Sequence, residues 1–187
     1  MLYVPGKLLF IHIPRTAGNA ITRTLGTELL KTESPVIVLE ASVAAAKRLK
    51  IHRHSTAAEL RPLIHDFDRI LKVAVNRPTS EIIESDYRLH RAFAESANLP
   101  HDWDASVRMA RDETLDEFKA RRWDKWLCGR TAWQHWCHDE ENKPMGVISL
   151  DFDTLSSHGW PLICQHLNID IPLPHDDWQI QRTEYFR

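Results

Sequence analysis

The residues best suited to bind an anion follow an apolar run near the N-terminus. Residues 8–13 are apolar apart from one histidine, and the next few include Arg15, Thr16, Gly18 and Asn19. Apolar residues then recur at helical spacing, at Ile21, Leu25 and Leu29. Gly18 lets the backbone approach a ligand closely, the first amides of a helix are unpaired donors, and Arg15 adds a planar cation. The loop between strand and helix therefore suits a phosphate or a sulfate; a turn that binds nothing is the alternative.

The loop also resembles a known nucleotide-binding motif. Residues 10–21, FIHIPRTAGNAI, resemble the FIHIPKTAGTSI loop of sulfotransferases that use 3′-phosphoadenosine 5′-phosphosulfate (PAPS), in the branch of Golgi carbohydrate enzymes and many bacterial and phage relatives. The usual nucleotide loop, GxxxxGK(S/T), is absent. The resemblance implies a P-loop-like nucleotide-binding sulfotransferase fold with PAPS as co-substrate. It assigns the 5′-phosphosulfate to Arg15, Thr16, Ala17, Gly18, Asn19 and Ala20.

Four further segments resemble the same family, in the same order along the chain. Residues 54–61, HSTAAELR, are similar to HxTAxELR, and residues 70–87, ILKVAVNRPTSEIIESDY, to FAFVRNPxDRxxSxY. Nearer the C-terminus, residues 149–155, SLDFDTL, resemble GRFExL, and residues 173–177, LPHDD, resemble LPHxN. The resemblance places Arg77 and Ser85 near the adenosine 3′-phosphate.

The second of these segments departs from the family pattern. With Pro78 as the anchor, Asn76 occupies the arginine position of the family, and Arg77 is displaced by one residue. Glu81 replaces an arginine three residues after the proline. A shift of one residue along a strand turns a side chain to the opposite face, so the 3′-phosphate site is altered.

Sulfuryl transfer needs a base for the acceptor and a cation for the leaving nucleotide. Histidine suits the first role near neutral pH, and Arg15 suits the second. His52 and His54 flank Arg53, and on an extended segment both would point the same way. By resemblance to carbohydrate sulfotransferases with a catalytic HxH arrangement, His54 or His52 is the candidate base; polar loop residues are the alternative. His12 lies within the predicted strand and is interpreted as structural.

No metal site is predicted, although the chain contains eleven histidines. No CxxC or HExxH pattern accompanies them. Sulfuryl transfer also needs no metal in principle, because a sulfonate carries less charge than a phosphoryl group.

Four tryptophans recur at spacings of three, seven and three residues, at Trp123, Trp126, Trp133 and Trp136. This spacing places them along one helical face. We expect such a stripe to pack in the core. The alternative is that it lines an acceptor cleft, where an indole could stack on a flat ligand.

Length and composition predict a single sulfotransferase-like domain over residues 1–187. The net charge of −2 argues against a nucleic-acid partner. The N-terminus lacks a signal-peptide pattern, and no apolar stretch reaches the roughly 18 residues of a membrane span. Three widely spaced cysteines suit reduced thiols. We therefore expect a soluble, cytoplasmic protein that does not bind a membrane.

Alternating patterns predict an α/β protein with a mainly parallel sheet flanked by helices. Strands are predicted at residues 7–13, 35–39, 70–76 and 146–150, with a weaker strand near Ile51. Helices are predicted at residues 19–30, 43–49, 57–64, 80–97, 115–138 with a break near Gly129, and 160–167.

These observations lead to one principal function and two alternatives. The principal one is a PAPS-dependent sulfotransferase acting on a hydroxyl of a small molecule or saccharide; the acceptor and the oligomeric state stay open. A catalytically silent member of the fold that binds a nucleotide or a partner is the first alternative, favoured by Ala20, Asn76 and Glu81. A kinase-like phosphotransferase is the weaker alternative, because the loop lacks the lysine and the Mg²⁺-binding hydroxyl.

Overall fold

The computed structural model of the chain describes residues 1–31, 37–38, 52–95 and 104–172. The helix predicted over residues 43–49, the strand near Ile51 and the motif at residues 173–177 lie outside these ranges. So does most of the strand predicted over residues 35–39.

In the described part of the chain, five strands form one mixed sheet in the order β3-β1-β2-β4-β5. Their bounds are β1 Leu2–Val4, β2 Leu8–Ile11, β3 Ile37–Val38, β4 Leu71–Asn76 and β5 Ile148–Asp151. Strands β2, β4 and β5 run parallel, whereas β1 is antiparallel to both β2 and β3. The α/β class is thus confirmed, and the prediction of a mainly parallel sheet holds for β2, β4 and β5 but not for the edge that β1 and β3 form.

Strand β1 was missed because its run is only three residues long. A tight turn joins it to β2, with Gly6 at a φ of 72° and the Lys7 amide bonded to the Val4 carbonyl at 3.0 Å. The Pro5-Gly6 pair is a local turn signal that could have revealed this hairpin.

Helices cover both faces of the sheet. Their bounds are α1 Gly18–Lys31, α2 Ala57–Leu60, α3 Thr79–Glu95, α4 Asp104–Asp112, α5 Leu115–Phe118, α6 Asp124–Leu127, α7 Ala132–Cys137 and α8 Trp160–Leu167. Two π-helical segments lie between them, π1 Lys119–Trp123 and π2 Leu155–Gly159. The helix predicted over 57–64 is shorter than expected, because Pro62 has no amide to extend the ladder of α2. The break predicted near Gly129 is confirmed, with positive φ at Cys128 and Gly129.

Two apolar cores lie on opposite faces of the sheet, because successive strand residues point to opposite sides. On one face, Phe10 and Val73 pack with α1 and α8. On the other, Ile11 and Ala74 pack with α3 and the tryptophan-bearing helices. Trp123 and Trp136 are fully buried there, and the other two tryptophans of the stripe are half-buried against the same cluster, as the core prediction expects. Trp123 and Trp126 also line a cavity, which is the alternative that the sequence left open.

Within the ranges described, no helix combines the length and the apolar character that crossing a membrane requires.

Candidate functional site

The loop between β2 and α1 is held in a strained conformation. Arg15 and Ala17 have φ values of 63° and 62°, in the left-handed region that residues other than glycine rarely adopt. Thr16 lies between them, fully buried, and its Oγ1 donates a hydrogen bond to the Ile13 carbonyl at 2.8 Å. The Thr16 hydroxyl, which the sequence assigned to the cofactor, therefore fixes the turn.

Gly18 is required at the start of α1 by a buried side chain. A Cβ atom at Gly18 would lie 1.9 Å from Cδ2 of the His12 ring, far inside contact distance. His12 is buried, and burial, with a smaller effect of the neighbouring His54, lowers its pKa well below the usual value. A neutral imidazole thus fills the space that a Cβ atom at Gly18 would need, so the missing side chain of Gly18 serves packing against His12.

Arg15 reaches from this loop to helix α3. Its Nε and Nη2 atoms donate to the Ser85 hydroxyl at 3.3 and 3.2 Å. Arg77 meets the same loop from the end of β4, where its Nη1 donates to the Arg15 carbonyl at 3.2 Å. Both residues that the resemblance linked to the 3′-phosphate therefore contact the first loop.

The side chain of Arg77 is also engaged by a carboxylate. Its Nε donates to Oε2 of Glu81 at 3.1 Å, and its guanidinium lies 4.6 Å from the centre of the Phe152 ring. Glu81 stands where the related motif has an arginine. The ion pair between Arg77 and Glu81 therefore largely compensates the positive charge at the end of β4.

His54 faces the loop with a defined tautomer. Its Nδ1 lies 2.9 Å from the His12 carbonyl, and because a carbonyl can only accept, the proton is on Nδ1 and the lone pair is on Nε2. Burial lowers the pKa of His54 to about 3, so the ring is neutral at pH 7. Its backbone carbonyl accepts a hydrogen bond from Nε1 of the buried Trp136 at 2.8 Å.

His52 occupies a different position from His54. Residues 52–55 form a turn, with the Ser55 amide bonded to the His52 carbonyl at 3.0 Å, rather than the extended segment that the sequence predicted. The Nδ1 of His52 accepts the His54 amide at 3.1 Å, and its ring is exposed. The expected extended conformation is thus wrong: His52 supports the turn, and the centres of the His52 and His54 rings lie 6.5 Å apart.

A cavity of about 280 Å³ opens between this loop, His54 and helix α3. Of the six loop residues that the sequence assigned to the cofactor, Arg15 and Asn19 line this cavity. His54 and Arg53 line the same side. The cavity therefore brings the predicted cation and the predicted base together.

Another part of the cavity lining is built around a carboxylate that sequence reasoning missed. Asp86 is buried, and its Oδ2 accepts hydrogen bonds from Nε of Arg122 and Nε1 of Trp123, both at 3.0 Å. His90 lies one turn further along α3 and donates from Nδ1 to the Asp86 carbonyl at 2.8 Å. Polar residues within the otherwise apolar buried stripe of α3 are the signal that could have revealed this network.

Comparison with protein-family models gives no match for this chain. Neither a curated protein nor a solved structure matches it.

A larger groove of about 1150 Å³ lies elsewhere, between residues 58–69 and residues 139–145. Its charged lining residues are largely exposed and of both signs, including Arg61, Asp68 and Glu140. None of the residues singled out for chemistry lines it, so the smaller cavity is the candidate site. In the described part of the chain, no group of three or more potential ligands could hold a metal ion.

Proposed function

We propose that this protein transfers a sulfuryl group from PAPS to an acceptor hydroxyl on a small molecule or saccharide. One observation carries the proposal: Arg15 and His54, from distant parts of the chain, line one cavity beside the carboxyl end of β2. Ligands of open α/β sheets bind at such an edge. The motif resemblance to PAPS-dependent sulfotransferases supplies the identity of the donor.

Arg15 and the start of α1 would bind the phosphosulfate. The guanidinium suits a planar array of oxyanions, and the first amides of a helix favour negative charge. Ser85 holds the Arg15 side chain on the cavity side. The same cation would stabilise the negative charge that develops on the leaving nucleotide as the sulfur–oxygen bond breaks.

His54 would accept the proton of the acceptor hydroxyl at Nε2. The bond from Nδ1 to the His12 carbonyl fixes the tautomer that this role requires. The low pKa of His54 keeps the ring neutral but also makes it a weak base on its own. An anionic donor in the cavity would raise this pKa, because nearby negative charge favours the imidazolium form.

Calorimetric titration with adenosine 3′,5′-bisphosphate and with AMP tests the proposal. A PAPS enzyme should bind the bisphosphate at least about tenfold more tightly than AMP, through contacts to the 3′-phosphate. Absence of bisphosphate binding would overturn the proposal.

A catalytically silent nucleotide-binding protein is the second candidate, and the Arg77–Glu81 pair favours it. That contact offsets the cation that the related motif directs to the 3′-phosphate. Equal affinity for the bisphosphate and for AMP would support this candidate over the first.

A further inference from the structure

Arg53 lies between His52 and His54 on the turn that supplies the candidate base, and it lines the same cavity. Hydrogen bonds hold this turn: the Ser55 amide donates to the His52 carbonyl at 3.0 Å, and Nε1 of Trp136 donates to the His54 carbonyl at 2.8 Å. Trp136 is fully buried, so its contact anchors the turn to the core. The backbone on both sides of Arg53 is therefore fixed.

The charge of Arg53 acts on two histidines that line the cavity. The rings of His12 and His54 lie 4.6 Å apart between their centres, and burial lowers the pKa of both. The positive charge of Arg53 lowers the pKa of each ring further. Charges act strongly only over short distances, because salt screens them beyond about 10 Å. The cation of Arg53 therefore lies close to the imidazole of His54.

Among the described residues, three arginines line the cavity, and their contacts differ. Arg122 donates to the buried carboxylate of Asp86 at 3.0 Å, and Arg15 donates twice to the Ser85 hydroxyl. The guanidinium of Arg53 has no hydrogen bond and no ion pair with the described part of the chain. An anion in the cavity can bind this guanidinium without breaking a contact of that kind.

The geometry of sulfuryl transfer determines which anion meets Arg53. Under the proposed function, the phosphate end of the donor lies at Arg15 and the acceptor hydroxyl lies at Nε2 of His54. The sulfur atom lies between them, because its bond to the acceptor oxygen forms opposite the bond to the phosphate oxygen that breaks. The electron pair of the broken bond stays on the phosphate, and the hydroxyl proton passes to His54. A cation beside His54 therefore faces the sulfonate oxygens.

We propose that Arg53 binds the sulfonate group of the donor, as a second anion-binding residue beside Arg15. The assignment rests on the proposed function and adds a residue to its donor site. A planar guanidinium can donate two parallel hydrogen bonds to two oxygens of one sulfonate. Sequence reasoning singled out the histidines on either side of Arg53 and gave Arg53 itself no role.

Two nucleotides that differ in one group test the assignment: PAPS carries the sulfonate, and adenosine 3′,5′-bisphosphate lacks it. Their dissociation constants are measured by calorimetry without an acceptor, so that no transfer occurs. Arg53→Gln should weaken the binding of PAPS by about tenfold and that of the bisphosphate by less than about twofold. Arg15→Ala should weaken both, because both nucleotides carry the 5′-phosphate.

Arg23→Gln is the matched control, because Arg23 is an exposed arginine of α1 outside the cavity lining, and neither affinity should change. Arg53→Lys keeps the charge without the planar fork and should recover part of the affinity for PAPS. Full affinity for PAPS in Arg53→Gln, or equal weakening of both nucleotides, would overturn the assignment. Either result beside normal bisphosphate binding in the wild type would leave the proposed function intact.

Inorganic sulfate separates the two proposals if the wild-type protein binds neither nucleotide, a result that would overturn the proposed function. Nitrogen-15 NMR then follows the ring of His54 during a titration with sulfate. A shift that is present in the wild type and in Arg23→Gln but lost in Arg53→Gln would retain Arg53 as an anion-binding residue. A shift that persists in Arg53→Gln, or no shift in the wild type, would overturn that role as well.

Discussion

Two strand-to-helix junctions lie side by side at one edge of the sheet and hold their arginines in different ways. After β2, Arg15 extends to the hydroxyl of Ser85 and lines the cavity. After β4, Arg77 contacts the carboxylate of Glu81 and the ring of Phe152, and it is not among the cavity-lining residues.

The comparison shows that topology alone does not make an anion site. Both junctions occupy the position where open α/β sheets bind ligands. Their contacts differ: Arg15 donates to the Ser85 hydroxyl and lines the cavity, whereas Arg77 forms an ion pair with the Glu81 carboxylate. We therefore expect the first junction to make the stronger contact, to the phosphosulfate, and the second to make a weaker contact, to the 3′-phosphate.

The largest expected effect concerns the base beside the first junction. His54→Ala should lower the rate of sulfation of an acceptor identified by screening by about 10²–10⁴-fold, the usual cost of removing a general base. Affinity for adenosine 3′,5′-bisphosphate should stay nearly unchanged. His52→Ala is the matched control and should retain most of the rate, because His52 lies outside the cavity lining. Full activity of the His54 variant would remove it from the mechanism.

The next effect separates the two arginines directly. Arg15→Ala should weaken bisphosphate binding by about 1.5–3 kcal/mol, the range of a hydrogen bond to a charged group. Arg77→Ala should weaken it less, and Arg15→Lys should recover part of the loss. Calorimetry on the three variants gives the ranking. The reverse ranking would place the phosphosulfate at the second junction.

A third test concerns the packing that shapes the first junction. Gly18→Ala should lower the free energy of unfolding by about 1–3 kcal/mol, the usual cost of overpacking, because the new Cβ would overlap the His12 ring. In the background of His12→Ala the same substitution should cost much less, since the overlapping ring is gone. Chemical denaturation of the four proteins completes the cycle, and additive effects would contradict the contact.

The smallest expected effect concerns the contact between Arg77 and Glu81 at the second junction. Glu81→Gln removes the carboxylate from Arg77 and should strengthen bisphosphate binding by about 0.5–1 kcal/mol, a small value because Glu81 is half exposed. Binding of AMP should not change, which makes AMP the control. A gain shared equally by both nucleotides would show that Arg77 does not contact the 3′-phosphate.

The sequence predicted local features well, because they depend on short-range patterns. The strand, loop and helix around Gly18 follow from apolar spacing, and α8 begins and ends at the predicted residues. The extended conformation expected for residues 52–54 was wrong, because contacts between His52 and Ser55 fold that segment into a turn. The pairing of Asp86 with Arg122 joins residues far apart in the chain, and no local pattern encodes it.

The positive φ values at Arg15 and Ala17 also have a consequence for the thermodynamics of binding. A left-handed conformation costs an alanine about 1–2 kcal/mol, so Ala17→Gly would relieve strain while widening the range of loop conformations. Alanine at position 17 and the hydrogen bond from Thr16 to the Ile13 carbonyl keep the loop in one conformation in the absence of a ligand. Binding of an anion then costs little backbone entropy. We therefore expect most of the free energy of its contacts with the loop to appear as affinity, because little of it is needed to order the chain.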